Sequence, residues 1–173
     1  DLCREDFNAI PFINADGYHS KTIAYSIWHI FRIEDIVAHT VITEDEQVFF
    51  TGNYQVRINS PIITTGNELV KQQIADFSKQ LNLEELYSYI FEVRESTEKI
   101  LERFSYDELK WKIPDERKGY LKSLNVVNCD EKAIWLIDYW CSKDIRGLIQ
   151  MPFSRHWIMH TEACLCIKNK MHS

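Results

Sequence analysis

The chain has 173 residues, of which 45% are hydrophobic and 27% are charged, a composition typical of a soluble domain with a sizeable core. Its formal net charge of −6, without a cluster of basic residues, argues against nucleic acid or an anionic membrane surface as the partner. No apolar run approaches the roughly 20 residues of a membrane-spanning helix, and the opening DLCREDFN is not a signal peptide. We predict a single domain over residues 1–173.

Hydrophobic residues recur at helical spacing in the first third of the chain. They predict a helix over residues 20–42, with Ser20 or Thr22 as its N-cap. Glycines and a proline interrupt the pattern over residues 44–66, which predicts a long connection with short helical turns. No segment alternates long enough to form a β-sheet.

The middle of the chain predicts two helices. A short helix is expected over residues 68–81, and an amphipathic helix over residues 83–104. The apolar stripe of the second helix consists of Leu83, Leu86, Tyr87, Ile90, Val93, Thr97, Ile100, Leu101 and Phe104.

The last third of the chain also reads as helical. A turn and a short helix are predicted over residues 105–114, and a longer helix over residues 130–146 with Gly147 as its C-cap. Pro152 suits the first turn of a final helix over residues 152–170. These elements predict an all-α fold, a helical bundle.

The cysteines are odd in number and form no CxxC pair. This usage predicts reduced thiols in the cytoplasm rather than a disulfide framework. Most are expected to be small buried hydrophobic residues. They are Cys3, Cys129, Cys141, Cys164 and Cys166.

Two histidines share the face that the final helix should bury. His156 and His160 lie four residues apart, which places their Cβ atoms about 5–6 Å apart. Each buried imidazole without a partner would cost roughly 1–3 kcal/mol, and one metal ion would satisfy both. The alternative is a pair of independently hydrogen-bonded core histidines. No glutamate follows His156, so the pair is not the HExxH motif of zinc proteases.

A third imidazole is available on the first predicted helix. His29 lies mid-helix among the apolar residues of SIWHIF, where a lone histidine is unusual. His19 and His172 are expected to be solvated. His39 lies near the end of the predicted helix, where the helix dipole favours a cation. If the two helices are neighbours, His29 completes a set of three ligands.

Two blocks carrying these histidines resemble one family. TIAYSIWHIFRIED resembles the second-helix signature of the DinB-like (YfiT-like) metalloenzymes, and RHWIMHTEACLCIKNK resembles their last-helix HxxxH motif. The resemblance implies a four-helix bundle, a homodimer, and a divalent metal site formed by His29, His156 and His160 that opens to a cavity. The family's first helix would precede residue 1, so we expect it to be missing from this sequence or altered.

The resemblance also implies a chemistry, because the family includes S-transferases that use low-molecular-weight thiols and a maleylpyruvate isomerase. Three neutral imidazoles leave Zn²⁺, Ni²⁺, Fe²⁺ or Mn²⁺ with open positions, where a thiol becomes a nucleophile. We therefore predict a metal-dependent transfer of a small thiol to an electrophile, without a protein nucleophile. The alternatives are a metal-dependent hydrolase, a non-catalytic metal-binding or stress-associated interaction protein, and a His156–His160–Cys164 site that leaves His29 uninvolved.

Charged residues near the three histidines have two interpretations each. Glu34 and Asp35 either orient a metal ligand by hydrogen bonding or are ordinary solvated or capping carboxylates. Arg32 and Arg155 either bind an anionic substrate or form surface salt bridges. The tryptophans beside the proposed ligands are expected in a cavity wall or in the core.

Overall fold

The structure, a computed structural model, describes residues 2–172, and the all-α prediction is confirmed. No β-strand occurs in this part of the chain; one isolated bridge joins Lys112 and Asp144. The α-helices are α1 (Arg4–Asn8), α2 (Ile23–Asp35), α3 (Val48–Thr51), α4 (Tyr54–Arg57), α5 (Gln72–Gln80), α6 (Leu83–Leu101), α7 (Arg117–Ser123), α8 (Glu131–Cys141), α9 (Ile145–Gln150) and α10 (His156–Met171). Two 3₁₀ turns cover Gly17–Ser20 and Glu108–Lys110, and two π-helical segments cover Ile36–Thr43 and Met151–Arg155. Between residues 2 and 172, no helix has both the length and the apolar character needed to cross a bilayer.

Helix α2 is the centre of the fold. Of its 13 residues only Ile27 is not buried, because α6 and α10 pack against it, as do α1 and α5. Of the two predicted N-caps the structure uses Thr22, whose Oγ1 accepts the backbone N–H of Tyr25 at 3.0 Å. The helical path continues through Ile36–Thr43 and ends at Glu44, which adopts the left-handed conformation with φ of 63°.

Two apolar clusters meet along α2. One surrounds Trp28 and includes Phe49 and Tyr89, whereas the other surrounds Trp140 and includes Ile36. Each such side chain contributes about 1.5–3 kcal/mol by leaving water. The packing therefore fixes α2 against α6, and it fixes the π-helical continuation Ile36–Thr43 against α8.

A buried polar network fastens the connection over residues 44–66 onto α2. Arg32 donates to the carbonyl of Ile63 at 2.8 Å and to Oε1 of Gln47 at 2.6 Å. Asp35 accepts the backbone N–H groups of the first two residues of α3, at 2.9 and 2.8 Å. The capping interpretation of Asp35 is thus confirmed, and Arg32 is a buried structural residue rather than a surface ion pair.

The predicted helix over residues 130–146 is interrupted. The chain leaves α8 after Cys141 and begins α9 at Ile145. Asp144 is the N-cap of α9, and its Oδ1 accepts the backbone N–H of Gly147 at 2.7 Å. Gly147 therefore lies inside a helix, and its prediction as a C-cap is wrong.

Pro152 does not begin a new helix. It lies in the π-helical segment Met151–Arg155, which joins α9 directly to α10. Proline has no backbone N–H to donate, so no α-helical hydrogen bond from this residue is lost when the turn widens. The final helix predicted over residues 152–170 is therefore the second half of a longer helical path.

The predicted stripe of α6 is wrong at Tyr87, and four of its other members are only partly buried: Leu83, Ile90, Leu101 and Phe104. Tyr89 is fully buried, whereas Tyr87 is 63% exposed and stacks edge-on against Phe91 at the surface. Either tyrosine satisfies helical spacing, so the sequence pattern alone does not choose between them. The buried residues of α6 are Leu86, Tyr89, Val93, Thr97 and Ile100.

Candidate metal centre

The three predicted histidines meet between α2 and α10. One ligand atom from each of His29, His156 and His160 lies within 4.8 Å of the others. Nε2 of His156 is 3.2 Å from Nε2 of His29, although the two residues are 127 positions apart in sequence. The packing of α10 on α2 thus assembles the cluster, and its role as a metal centre stays a prediction.

The face of α10 explains why two of the histidines point inward. His156 and His160 are one turn apart and are 8% and 2% exposed. Ala163 and Ile167 continue the same buried stripe. His29 approaches from the fully enclosed side of α2, where it is 4% exposed.

A backbone carbonyl fixes the orientation of His29. Nδ1 of this ring donates to the carbonyl oxygen of Thr65 at 2.6 Å, so in the neutral ring Nε2 carries the lone pair. Tyr25 stacks on the ring with its centroid 5.3 Å away and an interplanar angle of 11°. The lone pair of His29 is therefore directed toward His156 before any ligand binds.

The segment that carries Thr65 is itself held in place by its neighbours. The Tyr25 hydroxyl donates to the carbonyl of Gly66 at 2.9 Å. Gly66 has φ of +79°, and a Cβ at this position would lie 2.7 Å from the ring of Trp28. A glycine is thus required for the close approach that brings Thr65 to His29.

Burial keeps all three imidazoles neutral. It lowers the pKa of His156 to about 4. Burial also lowers the pKa of His29 well below its ordinary value, and the neighbouring His156 adds to that effect. For His160 the pKa falls strongly for the same reason, with further lowering from His29. Neutral imidazole is the form that coordinates metal ions.

The distance between two of the imidazole nitrogens suits a shared ion. Two imidazole nitrogens at Zn–N distances of about 2.0–2.1 Å lie about 2.9–3.4 Å apart at octahedral or tetrahedral angles. The observed separation of 3.2 Å between His29 and His156 falls in that range. Nδ1 of His156 and Nδ1 of His160 are buried without a hydrogen-bond partner among the described residues. Without an ion, the cluster can form one N–H···N bond between His29 and His156, and no described group completes the hydrogen bonding of His160.

Two cavities reach the histidines from different sides. The first, of about 250 Å³, touches His29 and His156 and is mostly apolar. The second, of about 350 Å³, touches His29 and His160 and contains more polar groups. Tyr18, whose ring meets His160 edge-on with centroids 4.7 Å apart, lines both. The cluster is therefore accessible to a small molecule.

Cys164 does not join the group that could hold an ion. The cluster contains His29 and excludes this thiol, which favours the three-histidine arrangement over a site on one helix. Burial raises the pKa of the Cys164 thiol to about 11, so it stays protonated at neutral pH. All five cysteines are free, as their number and spacing predicted, but the expectation that most are buried is wrong, since of the five only Cys141 is buried.

The remaining histidines lie elsewhere. His39 is buried, with Nδ1 2.9 Å from Oδ1 of Asp35 and Nε2 2.7 Å from Oγ of Ser96. Burial lowers its pKa, but the hydrogen bond and the charge of Asp35 outweigh burial and the net pKa is raised. The predicted cation at His39 thus depends on a carboxylate as well as on its helix. His19 and His172 are exposed, as predicted.

The acidic and aromatic neighbours of the ligands serve the core. Glu34 is buried and accepts from Arg94 at 3.1 Å, and neither Glu34 nor Asp35 forms a hydrogen bond or ion pair with the described metal-ligand candidates. Trp28 is fully buried, and Trp157 contacts Arg94 through its ring. The group that orients a ligand is the Thr65 carbonyl, 36 residues from His29, which no local sequence pattern indicated.

Comparisons with family models, curated proteins and solved structures gave no match for this chain. The resemblance to the DinB-like family therefore stays a prediction from the two histidine-bearing blocks.

Proposed function

We propose that the protein binds one divalent transition-metal ion through His29, His156 and His160 and catalyses transfer of a small thiol to an electrophile. In this transfer the thiol sulfur forms a bond to the electrophilic carbon, the leaving group (halide in the probes below) departs with its bonding electron pair, and the thiol proton passes to solvent. The observation that carries this proposal is the convergence of three buried, neutral imidazoles where two cavities meet. Imidazole suits Zn²⁺, Ni²⁺ and Fe²⁺, and Mn²⁺ is a further candidate. With three protein ligands, coordination positions remain for a substrate.

The described residues that line the two cavities favour a thiol over water as the nucleophile. Among the described residues, those lining the two cavities include no aspartate or glutamate that could act as a general base. A bound divalent ion supplies Lewis acidity that lowers the pKa of a thiol or a water. A thiol with an ordinary pKa of about 8.5 needs a far smaller change than water, at about 15.7, to lose its proton.

The protein's own residues would position the reactants. The Thr65 carbonyl holds the proton on Nδ1 of His29 and leaves Nε2 free to coordinate. The aromatic wall of the first cavity excludes water from the electrophile. The Cys164 thiol, protonated at neutral pH, does not compete as a nucleophile.

We further propose that the chain is a DinB-like four-helix bundle that works as a homodimer in the cytoplasm. Support for the family comes from the two blocks that contain the histidines. Support for the compartment comes from the free cysteines, which suit the reduced small thiol that the reaction would need.

The test is turnover of a bromobimane or a chlorodinitrobenzene with bacillithiol, mycothiol, glutathione or coenzyme A. We expect activity in protein loaded with Zn²⁺ or Ni²⁺, little after chelation, and little in His160→Ala. The control His19→Ala removes an exposed histidine and should keep the activity. A rate that chelation leaves unchanged would exclude the metal as catalyst. Bound, exchangeable metal without turnover for any thiol would favour a metal-dependent hydrolase or a non-catalytic metal-binding or stress-associated protein.

A further inference from the structure

The polar cavity contains a lysine for which the described residues provide no carboxylate partner. Lys21 lies between the 3₁₀ turn Gly17–Ser20 and the N-cap of α2, and it is half-buried. Its Nζ lies 5.4 Å from the centroid of the Tyr25 ring and forms no ion pair with any residue in the described part of the chain. Burial lowers the pKa of Lys21, as expected for a cation that lacks a counter-ion. The adjoining N-terminus of α2 also favours an anion at this position.

The apolar cavity has the size and the walls of an aromatic pocket. Its volume is about 250 Å³, whereas an apolar cavity of about 150 Å³ is enough to hold benzene. One ring with a small substituent would therefore fit. The wall consists mainly of Trp135, Leu136, Tyr139, Trp140, Met151 and Pro152.

The two cavities share residues at the histidine cluster. His29 and Asn67 line both of them, and Oδ1 of Asn67 is buried without a hydrogen-bond partner among the described residues. An elongated molecule that occupied both cavities would pass directly by the imidazoles. An N–H or O–H group of such a molecule could donate a hydrogen bond to Oδ1 of Asn67 at the point where the cavities join.

We infer that the centre binds an amphipathic organic anion, with a carboxylate at Lys21 and an aromatic group in the cavity beside Trp140. The inference rests on the proposed function, because it names the class of substrate that the same site would take. A carboxylate would offset the charge of Lys21, and it would also be attracted to a bound dication, whose charge three neutral imidazoles leave uncompensated. The ring would gain the free energy of leaving water.

The experiment compares three probes: 3-phenylpropionate, its neutral amide 3-phenylpropionamide, and propionate. Dissociation constants are measured by calorimetry on metal-loaded and on metal-free protein. We expect the aromatic acid to bind about tenfold tighter than the amide, and Lys21→Gln to remove that preference on the metal-free protein, where no ion attracts the carboxylate. Lys168→Gln, which neutralises an exposed lysine of α10, should keep it.

A second variant tests the aromatic pocket. Met151→Trp adds bulk to the cavity, so it should reduce affinity for 3-phenylpropionate about tenfold and leave propionate unchanged. Metal content and circular dichroism establish that each variant is folded. Retention of the acid preference in metal-free Lys21→Gln protein, or equal affinities of wild-type protein for propionate and 3-phenylpropionate, would overturn the inference.

The failure of this inference and that of the metal proposal are distinguishable. If the protein holds no metal, the proposed function fails, yet the Lys21-dependent preference is still measured on the metal-free chain and decides the inference. If the metal is bound but Lys21→Gln changes nothing, only the substrate class is wrong.

Discussion

Glu34 should make the protein less stable as the pH rises toward neutrality. The side chain is fully buried on α2, where Oε1 accepts from Arg94 at 3.1 Å and Oε2 has no hydrogen-bond partner among the described residues. Burial raises the pKa of Glu34 from 4.5 to about 7, although the charge of Arg94 acts in the opposite direction. The charged carboxylate is thus poorly accommodated in the folded state.

The sign and size follow from proton linkage. Because the pKa of Glu34 is higher in the folded chain, its contribution to stability is full below about pH 4.5 and is lost as the pH rises through about 7. At 1.36 kcal/mol for each pKa unit, the loss is about 3 kcal/mol. The Gln side chain in Glu34→Gln cannot ionise. The free energy of unfolding of this variant, minus that of wild type, should therefore rise by about that amount as the pH increases from about 4.5 to 8.

Urea denaturation of chelator-treated protein between about pH 4.5 and 8 measures this difference, since contributions of the other titrating groups cancel in it. Arg94→Gln provides a matched second variant. Removal of that cation raises the pKa of Glu34 further, so the decline in stability should extend to higher pH. Wild type and Glu34→Gln curves that stay parallel across the range would refute the reasoning.

Three further predictions concern the histidine cluster. Gly66→Ala places a Cβ 2.7 Å from the ring of Trp28 at φ of +79°, so urea denaturation should show that the free energy of unfolding falls by about 1–3 kcal/mol. In the control Gly119→Ala the added Cβ meets open space and should cost far less stability. Equal losses in the two variants would contradict the argument. Because burial lowers the pKa of His156 to about 4, dialysed protein should keep its metal at pH 5.5 and release it near pH 4. Elemental analysis measures the metal that remains, and release already near pH 6.5 would contradict neutral, buried ligands. Cys164→Ser should retain the full metal content in the same analysis. Loss of metal in this variant would instead favour the His156–His160–Cys164 site on α10 alone.

Local periodicity was sufficient to predict most helices and the candidate ligands. The spacing of His156 and His160 places both on one face of α10 whatever the helix packs against. His29 was identified because a polar residue in a continuous apolar helix needs a partner. Only the pairing of α2 with α10 had to be assumed, and the structure shows that contact.

What the sequence could not predict depends on contacts between distant segments. Thr65 and Lys21 are brought to the cluster by packing, and neither forms part of a recognisable motif. The break before α9 depends on whether Asp144 caps a new helix or lies inside a longer one, which periodicity does not distinguish. Such choices are made by tertiary contacts.

Metal stoichiometry is the most direct test of the candidate centre. Protein purified without an affinity tag is incubated with Zn²⁺ or Ni²⁺, dialysed, and examined by elemental analysis and native mass spectrometry. We predict about one ion per chain in wild type and in the control His19→Ala, and almost none in His29→Ala. Wild-type protein that binds no ion, or His29→Ala protein that keeps its full complement, would contradict a centre shared between α2 and α10.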